Sequence, residues 1–139
     1  MVNMGKTSLR CRECKKEYDS TFKYICDECF GPLDVHYDFP SITKDTFASR
    51  EQTYWRYFEL LPIIDKSNIV SIGAGMTPLV RAEKLGKEIG LSNLYIKNDS
   101  VNPTFSFKDR PAGVAVSKAK EFGLSSVGCA STGNLAAAT

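Results

Sequence analysis

Residues 94–130 read LYIKNDSVNPTFSFKDRPAGVAVSKAKEFGLSSVGCA. Leu94-Tyr-Ile96 has the character of a short strand. Ala112, Ala115, Val116, Ala119 and Phe122 recur at i, i+3, i+4, i+7 and i+10, the spacing of one helix face, and Gly123 stops that helix. Ser126-Val-Gly-Cys-Ala130 reads as a strand again. Upstream, Pro78-Leu-Val80 is another short strand. Arg81 to Glu88 reads as a helix with Ala82, Leu85 and Ile89 on one face and Gly90 as its stop. Alternating strands and helices of this length predict an α/β unit with a parallel sheet over residues 76–139.

Before this unit the texture changes twice. Residues 39–75 form a connecting segment with a turn-like FPSITKDTF and an aromatic-rich EQTYWRYFELLPII. Tyr54, Phe58 and Leu61 fall at helical spacing, and Pro62 would end that helix. Residues 1–38 hold four of the five cysteines. The 139 residues carry 18 basic and 16 acidic side chains, 42% apolar and 24% charged residues. That balance excludes a disordered or collagen-like chain, and a net charge of +2 argues against a nucleic-acid or membrane surface. The longest apolar runs are too short to cross a bilayer, and the N-terminus turns polar before a signal peptide could form. The expectation is a cytoplasmic protein.

Cys11-x2-Cys14, eleven residues, then Cys26-x2-Cys29 has the spacing of a zinc ribbon, in which two knuckles complete a tetrahedron of thiolates. Two disulfides or free thiols are the alternative, disfavoured by an odd cysteine count without a signal peptide. Iron suits the same four-thiolate cage, so the metal identity stays open. Gly31-Pro32 supplies the following turn, and His36 reads as a surface histidine. Six basic and seven acidic residues over positions 1–38 give a local charge of −1, the wrong sign for a phosphate-binding face. A structural ribbon docked on the rest of the protein is the expectation.

The segment Asn102-Pro-Thr-Phe-Ser-Phe-Lys-Asp-Arg-Pro111 joins a strand to the long helix. Ser106 or Asp109 could cap that helix, and Pro111 must lie in its first turn. Lys108 then sits at a strand-to-helix junction, where α/β folds place ligands. Flanking Phe105 and Phe107 would desolvate it, and the positive end of the helix would lower its proton affinity, giving a nucleophilic amine. Alone, such a lysine reads as a solvated charge. Ser131-Thr-Gly-Asn134 opens a second helix. Its free N–H groups suit a carboxylate or phosphate, although the same residues in isolation read as an N-cap turn. Two such junctions on neighbouring units raise the expectation of a ligand cleft. The helix begun at Asn134 runs about one turn, too short to be stable alone, so the chain is expected to be an N-terminal fragment of a longer protein.

Ser106-Phe-Lys-Asp-Arg110 resembles the lysine motif of threonine synthases, members of the tryptophan-synthase-β (fold type II) pyridoxal-phosphate family. Ala130-Ser-Thr-Gly-Asn134 resembles the family's second motif at the matching separation, and Gly75-Met-Thr-Pro-Leu79 its G-x-T-P-L entry strand. A cysteine-rich N-terminal ribbon occurs in many threonine synthases. Pro111 departs from the family pattern, where a small residue such as glycine is frequent.

The resemblance implies roles for individual residues. Lys108 would hold pyridoxal 5'-phosphate covalently and then move protons as general acid and base. Phe107 would pack on the cofactor ring, and Asn134 would hydrogen-bond the ring hydroxyl. Ser131, Thr132 and Gly133 would hold the substrate α-carboxylate. Asp109 and Arg110 would be structural, pairing near the helix start. Cys11, Cys14, Cys26 and Cys29 would hold structural zinc. The implied reaction converts O-phospho-L-homoserine and water to L-threonine and phosphate, with a phosphorylated amino acid as the small-molecule partner and a homodimer as one option for the full-length protein. The cofactor's phosphate cup and the residue facing the pyridine nitrogen would lie outside this chain, which by itself is expected to be inactive. Cysteate synthase, using phosphoserine and sulfite, and a threonine or serine dehydratase share the fold and the lysine. A zinc-ribbon binding module without catalysis is the alternative of another class.

Overall fold

Two loops with the same backbone pattern begin the chain's architecture. In each, the N–H four residues after the first cysteine returns to that cysteine's carbonyl, Lys15 to Cys11 at 3.2 Å and Phe30 to Cys26 at 3.1 Å. The N–H of the first cysteine donates one residue further on, to Lys16 O at 2.8 Å and Gly31 O at 2.9 Å. Lys15 and Phe30 both take the left-handed conformation, with φ of 66° and 56°. The paired C-x2-C spacing thus folds as two equivalent knuckles. In this computed structural model, which describes residues 7–39 and 41–139, they are carried by a three-stranded antiparallel sheet of β1 (Thr7–Cys11), β2 (Glu17–Asp19) and β3 (Leu33–Tyr37). β1 lies in the middle, with Leu9 opposite both Tyr18 and Val35. Residues 1–6 of the expected ribbon, and Pro40, lie outside the described residues. Gly31 serves close approach rather than a turn: a Cβ there would stand 3.0 Å from Cys11 Sγ and 2.8 Å from Glu13 Cγ.

The connecting segment holds two helical pieces. The stretch read as turn-like contains α1 (Lys44–Ala48), whose entry is closed by the Thr43 N–H donating to Thr46 Oγ1 at 3.3 Å. The expected helix around Tyr54 is present as a 3-10 helix, Tyr54–Leu60, with non-helical geometry at Tyr57. Its Phe58 is buried, as helical spacing required. Glu59 beneath it takes both arms of the Arg50 guanidinium at 2.6 Å, which ties this helix back to the end of α1.

β4 (Leu79–Arg81), α2 (Glu83–Glu88) and β5 (Tyr95–Lys97) fall where the sequence predicts them, within a residue or two. The parallel sheet does not. β4 and β5 run antiparallel, with Leu79 opposite Lys97 and Arg81 opposite Tyr95. A parallel return needs a crossover that carries the chain back the length of a strand, and the six-residue α2 only turns it. The third expected strand is also absent: residues 126–130 are exposed and, among the described residues, make no backbone hydrogen bond. With no neighbouring strand to pair, the extended run has no ladder to join.

α3 (Asp109–Glu121) is the backbone of this half, and α4 (Asn134–Ala138) lies against it. The buried stripe of α3 keeps Ala112 and Ala119 of the predicted apolar face but adds Asp109, Gly113 and Ser117, so it is rotated from that face rather than identical to it. Ala115 of that predicted face is exposed and, with Ala119, Phe122, Leu124 and Val127, lines an open apolar groove of about 420 Å³. The inner stripe is polar because it receives backbone. Ser117 Oγ accepts from Val70 N at 2.9 Å and donates to Gly113 O at 2.7 Å, and Glu121 accepts from Ile64 N and Asp65 N. The ribbon docks on the same helix, as expected of a structural module. Phe22 meets Phe122 edge-on at 5.7 Å, and Lys118 reaches Ser20 Oγ at 3.4 Å. No helix among the described residues is long and apolar enough to cross a membrane.

Gly75 joins the connecting segment to β4. It takes φ of +89°, and a Cβ there would stand 2.9 Å from Tyr54 Cβ. Gly75→Ala therefore combines left-handed strain with overpacking and is expected to destabilise by about 2–4 kcal/mol. Urea unfolding of the two proteins measures it; a loss below about 0.5 kcal/mol would show that the Tyr54 contact gives way freely.

Candidate functional site

Lys108 is set by the loop that precedes α3. The fully buried Asp109 carboxylate accepts from Thr104 N at 2.8 Å and Thr104 Oγ1 at 2.5 Å, winding residues 104–109 over the helix start. Ser106 Oγ accepts from Lys108 N at 3.2 Å. Neither expected cap is made: Lys108 itself is the N-cap residue and the helix start has no side-chain cap bond, because Asp109 is turned back to Thr104 and Ser106 reaches only the Lys108 N–H; Pro111 lies in the first turn, as required. Lys108 is half-buried at the helix entry, and its Nζ lies 4.7 Å from the Phe107 ring centroid. The amine makes no hydrogen bond or ion pair among the described residues. The expected aromatic cover is not there. Phe107 is 55% exposed and Phe105, at φ of +58°, is 80% exposed.

Around this loop runs a polar frame that sequence reasoning missed. Asp99 Oδ1 accepts from Thr77 Oγ1 at 2.6 Å and from the Arg110 guanidinium at 2.9 Å, while its Oδ2 accepts from Arg110 at 2.5 Å. Arg110 also reaches Thr77 Oγ1 at 3.2 Å. Buried Asn102 donates to Asp99 O at 2.9 Å and accepts from Gly75 N at 3.0 Å. The expected Asp109–Arg110 pairing is therefore corrected: each residue is structural, but Asp109 serves Thr104 and Arg110 serves Asp99. Successive helical residues point to different faces, so neighbours in the motif have different partners.

The second motif lies at the entry of α4. Gly133 precedes the helix, Asn134 is its first residue and is exposed, and Thr132 is exposed. Ser131 is half-buried and its Oγ accepts from Gly133 N at 3.3 Å. The two motifs thus sit at the entries of two touching helices, and no hydrogen bond joins residues 105–110 to 131–134 among the described residues.

The Arg110 guanidinium, aided by the Thr77 hydroxyl, holds the Asp99 carboxyl below its ordinary value of 3.8. Burial pushes Glu121 up, but Lys118 and the N–H groups of Asp65 and Ile64 outweigh it and hold the carboxyl below its ordinary 4.5. A lowered carboxylate contributes stability that is complete above its unfolded-state value and is lost as pH falls through its folded-state value. The thermal midpoint is expected to be steady above about pH 5 and to fall steeply below about pH 4. A flat midpoint down to about pH 2 would deny both pairs a share in stability.

The four ribbon cysteines form the other cluster. Their sulfurs all lie within 4.8 Å of one another, with Cys11–Cys29 at 3.4 Å and Cys14–Cys26 at 3.5 Å. A tetrahedral ion with thiolates about 2.3 Å away puts its ligands about 3.8 Å apart, so the donor set and its span fit a metal. Cys11 and Cys26 are buried, Cys14 and Cys29 exposed, and Cys129 stands apart and exposed. His36 is exposed, as read. Tyr18 is a further residue that spacing could not reveal. Its hydroxyl oxygen accepts from Asp27 N at 3.0 Å, which leaves its own proton for Cys26 Sγ at 3.1 Å. That bond, helped by the N–H groups of Cys29 and Glu28, lowers the Cys26 thiol to about 6. The Lys16 N–H lowers Cys14, but burial and the neighbouring thiols outweigh it and push it up to about 12.

Comparison with known proteins bears on the lysine half and on the whole chain. The chain is 47% identical to the threonine synthase of Methanocaldococcus jannaschii over 133 residues, which cover 92% of this chain and 33% of that protein. With the threonine synthase of Methanosarcina acetivorans the identity is 44%, covering 94% of this chain and 32% of that protein. The threonine synthase of a Synechocystis strain matches at 47% over 63% of this chain and 22% of its own length. The chain thus spans about a third of the length of the first two. Residues 70–139, from the end of the connecting segment through both helix-entry motifs, match the family described as pyridoxal-phosphate dependent enzyme, and with half its length so matched the chain belongs to that family.

Proposed function

We propose that the chain is the lysine-bearing part of a threonine synthase, which converts O-phospho-L-homoserine and water to L-threonine and phosphate. The observation that carries this reading is Lys108, a free amine at the entry of α3, inside a chain 44–47% identical to threonine synthases over nearly its whole length. Pyridoxal phosphate, when bound, supplies the electron sink. Lys108 Nζ would hold the cofactor covalently, and the same nitrogen would hold and move protons at the substrate's α and β carbons. Phe107, already beside that amine, would pack on the ring. Asn134 would hydrogen-bond the ring hydroxyl, and Ser131, Thr132 and Gly133 would orient the substrate carboxylate. Because the chain spans about a third of those relatives' length, we expect it to be inactive by itself.

We assign positions 1–38 to a zinc-ribbon segment, described from residue 7 onward, 39–75 to the connecting segment and 76–139 to the start of the cofactor domain. Zinc on Cys11, Cys14, Cys26 and Cys29 is supported by four clustered sulfurs and by two equivalent knuckles.

The test loads the complete enzyme with pyridoxal phosphate, reduces it with borohydride and maps the modified lysine by mass spectrometry. Label on Lys108, with phosphate released from phosphohomoserine, is the expected result. Label on Lys108 with turnover only of phosphoserine and sulfite would move the substrate to that of a cysteate synthase. No label on Lys108 at saturating cofactor would overturn the reading.

A further inference from the structure

The frame around Lys108 has one residue at its centre. Asp99 belongs to the short 3-10 turn Asp99–Val101 that follows β5, outside both sequence motifs. Through its side chain it holds Thr77, at the entry to β4, and Arg110, in the first turn of α3. Through its backbone carbonyl it holds Asn102, whose side chain in turn fixes Gly75. Lys108 immediately precedes two clamps anchored on adjacent residues, Asp109 and Arg110. Asp109–Thr104 fixes the loop side, and Arg110–Asp99 fixes the helix side. The first clamp is internal to the loop and moves with it. Among the described residues, the Asp99 clamp, the weaker direct Arg110–Thr77 bond at 3.2 Å and the Asn102–Gly75 bond are the polar side-chain contacts that reference this loop to the entry strand.

The Asp99–Arg110 pair is mostly withdrawn from solvent, with side chains 29% and 23% exposed, and both guanidinium arms are engaged. A bidentate pair of this kind fixes orientation as well as distance. Removing it would free the first turn of α3 to rotate or slide against β4 and carry the Lys108 backbone with it. A displacement of about 1 Å at a reacting group costs up to about 100-fold in rate.

We infer that Asp99 is the positioning residue for Lys108, acting through Arg110 and Thr77. This rests on the reading of Lys108 as the cofactor lysine.

The experiment uses the complete holoenzyme and three variants, Asp99→Asn, Asp99→Glu and Thr77→Val. Asp99→Asn keeps the shape but loses the charge and one guanidinium bond. Thr77→Val leaves the ion pair whole and removes the two bonds of the Thr77 hydroxyl, to Asp99 and from Arg110, so it gives a second, charge-neutral variant of the same clamp. Active sites are counted by borohydride label on Lys108, and kcat is expressed per labelled site. Asp99→Asn is expected to lower kcat per labelled site by about 10–100-fold with little change in KM, and to slow the growth of visible absorption on mixing apoenzyme with pyridoxal phosphate. Thr77→Val shows a smaller loss in both, and Asp99→Glu recovers part of the rate. A structural residue alone would lower the thermal midpoint and the number of labelled sites, yet leave kcat per site as in the wild type; that outcome overturns the inference. Absence of label on wild-type Lys108 defeats the catalytic reading, and the inference falls with it. Normal wild-type label with wild-type kcat per site in Asp99→Asn and Thr77→Val defeats the inference alone.

Discussion

Lys108→Ala in the complete enzyme is expected to reduce kcat by about 1,000-fold or more. Two functions are lost together, the covalent anchor for the cofactor and the group that moves protons next to it, and such losses do not divide between them. The visible absorption of the lysine-bound cofactor should disappear, and borohydride should no longer fix pyridoxal phosphate to the peptide containing residues 104–111. Stability should hardly change. The Lys108 amine makes no hydrogen bond or ion pair among the described residues, and its contact with the Phe107 ring contributes less than about 1 kcal/mol. This separation makes the test sharp: a dead enzyme with a wild-type melting curve marks a chemical residue, not a structural one. Lys108→Arg keeps the charge, but its guanidinium is a poor nucleophile, so it should be as inactive as the alanine variant. Retention of more than about a tenth of kcat in Lys108→Ala would place the reacting amine elsewhere.

The parts of this site that could be read from the sequence are those fixed by local rules. Two C-x2-C pairs fold as knuckles because the spacing itself closes the turn, and their equivalence extends to the left-handed Lys15 and Phe30. The bounds of α3 follow from its period, Gly123 and the need to keep Pro111 in the first turn. What escaped the sequence depends on partners far along the chain. The apolar spacing of α3 pointed to Ala115, yet the buried face includes Ser117 and Asp109, because this helix receives backbone N–H groups from residue 70 and hydroxyl and amide groups from Thr104. Strand direction in the β4–β5 pair escaped for a similar reason. Hydrophobic alternation locates a strand but does not say which neighbour it meets or in which sense. Asp99, Thr77 and Asn102 carry no motif of their own. Only the return of the chain to Arg110 gives them a role.

Cys26→Ser is expected to unfold the ribbon while leaving α3 in place. Cys26 is fully buried, and its sulfur lies beside Cys14, under the Tyr18 hydroxyl and in reach of the Glu28 N–H. The apolar core of this part is small: among the described residues of the ribbon, Leu9, Cys11 and Cys26 are its buried apolar side chains. Three short strands with so little buried surface do not hold themselves together. A metal on four thiolates would supply what the core lacks, because binding free energy at such a site is folding free energy, on the order of 10 kcal/mol in small zinc domains. With three thiolates and a hydroxyl most of that is lost. Hydrogen exchange should then show β1–β3 unprotected, and limited proteolysis should cut between residues 7 and 38. The amides of residues 112–121 in α3 should keep most of their protection, because Ser117 and Glu121 anchor that helix to residues 64–70 independently of the ribbon. The docking contacts, Phe22 on Phe122 and Lys118 on Ser20, should be the first to go. A chelator applied to the wild type should give the same pattern, and zinc should reverse it. If β1–β3 stay protected in Cys26→Ser, or if exhaustive chelation leaves them unchanged, the cluster holds no structural metal and the fold of the ribbon rests on its strands alone.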